Sequence, residues 1–153
     1  QLIYAKANDV RRIAASLRGN FQNAKINGID NTTLYNGGLS FQYGLLKSGL
    51  NIVSGINASK NITESYDIVS VGPTLGVNKR FFTGKINTAA SASALKTFLG
   101  GVDNGYVLNI KGMGTFKLNR HHAFNLIFST IGKKNATTDT QETTISLGYN
   151  YSF

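Results

Sequence analysis

The sequence predicts an all-β chain: an antiparallel up-and-down transmembrane β-barrel of about eight strands, or nine if residues 2–7 are the truncated first strand of a larger barrel. Three observations carry this expectation. Hydrophobic and small polar residues alternate at a period of two in almost every segment between turn signals. The connections alternate between short turns and longer polar loops, and acidic residues gather in the longer loops while basic ones crowd the short turns. By length the 153 residues make a single domain, 1–153, either a whole barrel or the C-terminal portion of one, with residues 1–10 as a lead-in or partial strand.

Taken in order, segment 11–24 sets Ile13, Ala15, Leu17 and Phe21 against Arg12, Ser16, Arg18, Asn20 and Gln22. Residues 34–46 set Tyr35, Leu39, Phe41, Tyr43 and Leu45 against Asn36, Gly38, Ser40, Gln42 and Gly44. Weaker alternations follow at Leu50, Ile52 and Ile56, at Val69, Val71, Leu75 and Val77, and at Ile86, Ala90 and Ala92. Residues 105–118 set Tyr106, Leu108, Ile110, Phe116 and Leu118 against Asn109, Lys111, Thr115 and Lys117, and Phe124, Leu126 and Phe128 mark the next strand. The last strand sets Ile145, Leu147, Tyr149, Tyr151 and Phe153 against Thr144, Ser146, Gly148, Asn150 and Ser152. Each segment has about ten residues or more, longer than the common globular strand of about 5–6 and about what a tilted transmembrane strand requires.

The short turns are 46–50, 79–85 and 117–122, and the longer connections are 24–33, 58–67, 96–105 and 132–142. Alternate connections of a meander emerge at the same end, so one end is expected to be trimmed and the other elaborated. Asp30, Glu64, Asp67, Asp103, Asp139 and Glu142 fall at the long-loop end, and Lys47, Lys79, Arg80, Lys85, Lys117 and Arg120 at the short-turn end; Asp9 is the exception among the acids.

A water-soluble barrel or sandwich also alternates, so the composition of the polar face has to decide. Here it is built from a chain with 17 Asn, 12 Ser, 14 Thr and 17 Gly but only 15% charged residues, against about 25% in soluble domains. Small uncharged polar side chains and the absence of mid-strand acids suit a lumen better than a free surface. Tyr35, Tyr43, Tyr106, Phe116, Tyr149 and Tyr151 lie near strand ends, as in interfacial girdles. No stretch approaches the roughly 18 apolar residues of a spanning helix, and the N-terminus lacks the cationic-then-apolar order of a signal peptide. A chain starting at Gln1 fits a signal already removed or a piece cut from something longer. Zero Cys removes disulfides, thiolate metal sites and Cys nucleophiles.

The C-terminal LGYNYSF, with Leu147, Tyr149, Tyr151 and Phe153 at alternate positions, resembles the assembly signal that outer-membrane β-barrel proteins present to the barrel-assembly machinery. With VGPTLGVNKRFF and LNRHHAFNL, the chain resembles the C-terminal barrel region of outer-membrane proteins of Bacteroidetes-type bacteria. The resemblance implies an integral location in the outer membrane of a Gram-negative cell, contact with outer-membrane lipid and lipopolysaccharide, and the assembly machinery as a partner in biogenesis. It implies no particular substrate.

On this register Arg12, Arg18 and Lys111 face the lumen without mid-strand acids to pair them. They call for water in a wider pore, carboxylates on further strands, or a partner subunit, unless they snorkel to the rims. His121-His122 lacks a third ligand for a metal site, and no cofactor is expected. Gly112-Met113-Gly114 and Gly37-Gly38 are expected to mark bends, bulges or close packing rather than phosphate cradles. Sequons at Asn31, Asn57, Asn61, Asn135 and Asn150 are expected by chance in so Asn-rich a chain. The net charge of +9 points to anionic lipid rather than nucleic acid, since the cations form no stripe interleaved with aromatics. No catalytic triad can be drawn, and no enzyme is expected. The expected function is a pore or membrane-embedded transport subunit with a basic lumen. The alternatives are a non-conducting accessory barrel in a surface or secretion complex and, more weakly, a soluble β-barrel binder.

Overall fold

The computed structural model describes residues 1–26, 29–63, 65–119, 121–135 and 137–151. These form nine strands: β1 (Leu2–Ala7), β2 (Arg11–Ile26), β3 (Ile29–Leu45), β4 (Leu50–Ile62), β5 (Asp67–Phe81), β6 (Ile86–Leu99), β7 (Val102–Lys117), β8 (His122–Lys134) and β9 (Asp139–Tyr151), with a 3-10 turn at Phe82–Gly84 between β5 and β6. All pair antiparallel in sequence order in one sheet. The fragment at 2–7 is thus a strand, and the count is nine rather than eight.

Local chemistry fixes the turns. The Asn8 Oδ1 accepts from the Val10 and Arg11 N–H groups at 3.0 and 2.7 Å and turns the chain out of β1. Asn119 does the same for His121 and His122, at 2.9 Å each, and Asn135 for Thr137 and Thr138 at 3.0 and 2.7 Å. Such Asx turns are why Asn punctuates strand ends. Gly100 and Gly101, at φ 57° and 84°, give the pair of positive φ values that a two-residue hairpin matched to sheet twist requires.

The trimmed-and-elaborated asymmetry does not hold. β4 ends at Ile62 with β5 starting at Asp67, β6 ends at Leu99 with β7 starting at Val102, and β8 ends at Lys134 with β9 starting at Asp139. Segments 58–67, 96–105 and 132–142, expected as loops, are mostly ladder. Their Asn, Ser, Thr and Lys residues are polar without being turn formers in context, because cross-strand pairing satisfies the backbone whatever the side chain.

Nor does the sheet close. Among the described residues β1 pairs only with β2 and β9 only with β8, and each strand touches only its sheet neighbours. No second layer covers either face, and no described residue forms a buried hydrophobic core.

Candidate functional site: a two-faced sheet with a basic rim

Residues directly opposite in an antiparallel ladder share a face, so the register can be followed from strand to strand. Ile13, Tyr43, Ile52, Val77 and Ala90 form one such row, and Leu17, Leu39, Ile56 and Pro73 another. Phe116, Phe124 and Tyr149 continue the same face at the far side. The opposite face carries Ser16, Ser40, Gly55 and Thr74 in one row and Ser91, Lys111 and Ser129 in another. The alternation read in single strands therefore becomes two surfaces, one mainly apolar and one mainly of small polar residues, the latter also carrying Leu34, Val53, Leu95, Met113, Ile127 and Ile131.

Burial between these surfaces is inverted relative to a water-soluble sheet. Leu39 is 57% exposed, Leu75 59% and Leu147 78%, whereas on the polar face Gly44 and Gly72 are buried and Asn36, Ser40 and Gln42 half-buried. A sheet bent toward its polar side has this signature, because the concave side shields itself. The polar face is also internally bonded: Ser16 Oγ lies 2.8 Å from Ser40 Oγ, the Gln42 amide donates to Asn51 at 2.8 Å, the Asn57 amide to Thr74 at 2.7 Å, and the Thr115 hydroxyl to Asn125 at 2.8 Å.

Two glycines permit this curvature. A Cβ on Gly72 would lie 1.8 Å from the Ala94 carbonyl oxygen, and Pro73 beside it offers no N–H, so the β5–β6 ladder is interrupted between Val71–Lys96 and Thr74–Ser93. Gly105, at φ 91°, approaches the Lys134 carbonyl just as closely, next to the bulge in the β6–β7 ladder. Of the glycines singled out in the sequence, Gly38 is packed against Asn57, while Gly112 and Gly114 have nothing within 4 Å, so crowding does not explain those two.

Arg12, Arg18 and Lys111 do lie on the polar face, and none takes part in the ion pairs of the described residues. They are not brought together: four strands lie between Arg18 on β2 and Lys111 on β7, and the five strand spacings amount to about 24 Å across the sheet. Arg18 sits just past the reach of β1, whose Leu2 pairs with Leu17.

The three described ion pairs share the apolar face and one rim: Lys60 with Asp67 at 3.1 Å, Lys96 with Asp103, and Lys134 with Asp139 at 3.6 Å. Asp103 is held below the usual carboxylate range by the hydrogen bond from Lys96 and then by that from the Gly105 N–H. Sequence reasoning placed Asp67, Asp103 and Asp139 at this end but missed these lysines. Their signal was a Lys seven, seven and five residues before each Asp, astride each turn.

The result is an uneven charge distribution. At this first rim Lys60, Lys96, Lys133 and Lys134 balance Asp67, Asp103, Asp139 and Glu142, and the side chains of Lys25 and Asp30 lie outside the described ones. At the opposite rim, among the described residues, Lys6, Arg11, Arg12, Lys47, Lys79, Arg80, Lys85 and Lys117 face only Asp9, a net +7. Arg120 and Glu64 lie outside the described residues.

Leu147, Tyr149 and Tyr151 stand on the apolar face of β9, and Phe153 lies outside the described residues. Tyr149 packs 5.2 Å from Phe124 and stacks on His122, whose Nδ1 meets its hydroxyl. Phe21 and Tyr35 form a pair 5.1 Å apart near the other rim. Aromatics thus edge the apolar face at both ends. Among the described residues no group of three potential ligands could hold a metal ion, and no helix is long and apolar enough to cross a membrane. The chain matches no protein-family model, no curated protein and no solved structure.

Proposed function

We propose that the chain is wall-forming sheet of a transmembrane β-barrel in an outer membrane, its apolar face toward lipid and its cation-bearing polar face toward an aqueous lumen, serving as a pore or transport subunit. The observation that carries this is the inverted burial, with Leu39, Leu75 and Leu147 open and the small polar residues shielded. Water outside would leave an apolar surface far larger than monomeric soluble proteins tolerate.

Dimensions support the same reading. On β5 the apolar face runs through Val69, Val71, Pro73, Leu75 and Val77, with Asp67 and Lys79 beyond. From Asp67 to Lys79 is about 40 Å along the strand and about 30 Å along the normal at a tilt of about 40°, bracketing an apolar band of about 25 Å.

Unpaired strand edges are not tolerated in hydrocarbon, so the open seam must be completed. β1 and β9, both odd in a meander, run in the same direction, and antiparallel completion therefore takes an odd number of further strands, in keeping with the even counts of bacterial barrels. The 13-residue free edge of β9 also favours the second reading, an accessory wall that docks a partner through that edge.

Planar-bilayer recording separates the two. Stable unitary conductance from the inserted, completed wall supports the pore, and silence from protein verified as inserted removes it. Full recovery in aqueous buffer as a monodisperse monomer, without detergent, would overturn both.

A further inference from the structure

Lys85 and Lys117 stand across the β6–β7 junction, one step beyond the Ile86–Phe116 pair, where the Lys117 N–H donates to the Lys85 carbonyl at 2.8 Å. Like charges directly opposite on a sheet destabilise it unless something of opposite sign lies between them. The described acids do not supply it. Asp67, Asp103 and Asp139 are at the other rim with their own lysines, and Asp9 is in the turn between β1 and β2.

Instead the two lysines line a cleft of about 650 Å³ together with Thr83, Asn119, His122, Asn150 and Tyr151. The Asn119 Oδ1 is occupied by the His121 and His122 N–H groups, which leaves its Nδ2 to donate. One wall of the cleft is formed by Thr83, Gly84 and Lys85, from a turn in which Thr83 (φ 52°) and the preceding Phe82 (φ 49°) are both left-handed without being glycine.

We infer that this cleft is an oxyanion site at the basic rim where the two faces meet, taking the doubly charged phosphate group of a soluble solute between the Lys85 and Lys117 ammonium groups. Two cations and an amide N–H suit a phosphate, whose oxygens accept several charge-assisted hydrogen bonds at once. As a statement about transported solutes it rests on the proposed lumen; as a binding site it does not.

The test is calorimetric titration of inorganic phosphate at pH 8 into the full chain in a phosphate-free detergent, at constant chloride. Saturable binding is expected, weakened about tenfold by Lys117→Gln or Lys85→Gln. Lys79→Gln, at the same rim but on the apolar face, should leave it unchanged. Each glutamine variant should fold at least as well as the parent without phosphate, since it relieves the repulsion, and phosphate should raise the unfolding midpoint of the parent alone. Absence of saturable binding, or equal weakening by Lys79→Gln, would overturn the site in favour of diffuse rim charge. Displacement of phosphate by phosphatidylglycerol would overturn the soluble solute in favour of a lipid headgroup. The test needs no membrane, so its failure leaves the lipid-facing role of Leu39 standing, and the converse also holds.

Discussion

Replacing Leu39 by Arg distinguishes a lipid-facing surface from a wet one by energy. Leu39 is 57% exposed and stands opposite Ile56, which in turn stands opposite Pro73, the midpoint of the Asp67–Lys79 run on β5. Six residues of strand on either side put the charged rims about 15 Å away along the normal at a tilt of about 40°. A guanidinium there cannot reach either rim without distortion. At the bilayer midplane such a substitution costs about 2–4 kcal/mol, about 30- to 700-fold in the folding equilibrium at about 1.4 kcal/mol per tenfold. On a surface in water it would change stability by only about 0.5 kcal/mol. The assay is urea-dependent unfolding in phosphatidylcholine vesicles, followed by far-ultraviolet circular dichroism because the chain has no Trp. Ser91→Arg, on the polar face beside Lys111, is the control and should cost less than about 1 kcal/mol. Equal stabilities for Leu39→Arg and the parent, or a greater loss for Ser91→Arg, would refute the assignment of faces.

Two further outcomes follow from the geometry. Gly72→Ala should destabilise by about 1–3 kcal/mol or more, since its Cβ would lie 1.8 Å from a carbonyl oxygen. Gly112→Ala, with nothing within 4 Å, should be neutral or up to about 1 kcal/mol stabilising; the midpoints of the same urea curves compare them, and a reversed order would contradict the packing. Asp103, in the rim hairpin outside the apolar band, should titrate below its ordinary value because of Lys96 and the Gly105 N–H. A depressed folded-state pKa means the contribution is present above the unfolded pKa of about 3.9 and is lost as pH falls through the lower folded value. Carboxyl-carbon NMR should show this, and Lys96→Met should bring the midpoint back up; a midpoint indifferent to Lys96 would deny the ion pair.

Strand identity, strand order and the division into faces were legible in the sequence because each depends on a period-two pattern that side chains carry openly. Ile145 to Tyr151, Tyr35 to Leu45 and Arg12 with Arg18 all lie on the faces their alternation predicts. Turn position was legible within the short connection 117–122, where Asn119 forces it, but the two-residue turn at Gly100-Gly101 lay hidden inside the segment 96–105 expected as a loop. The length of the connections was not legible. Asn, Ser, Thr and Lys between turn signals read as loop, yet at 58–62 and 132–134 they continue the ladder, since hydrogen bonding is a property of the backbone and its partner. The Lys–Asp pairs and the Lys85–Lys117 apposition were hidden for a related reason: each spans a hairpin, and only the register brings its members together. Closure was beyond sequence reasoning altogether, because it depends on which edges meet and not on any one strand.

The most direct measurement of the apolar face as lipid-exposed uses the absence of native cysteine. Single cysteines at Leu39, Ser40, Phe41, Gln42 and Tyr43, each carrying an environment-sensitive fluorophore in reconstituted bilayers, are challenged with a brominated lipid and with aqueous iodide. Lipid quenching should peak at 39, 41 and 43 and iodide quenching at 40 and 42, in strict antiphase. Iodide reaching 39, 41 and 43 as readily as 40 and 42, with brominated lipid reaching none, would contradict it.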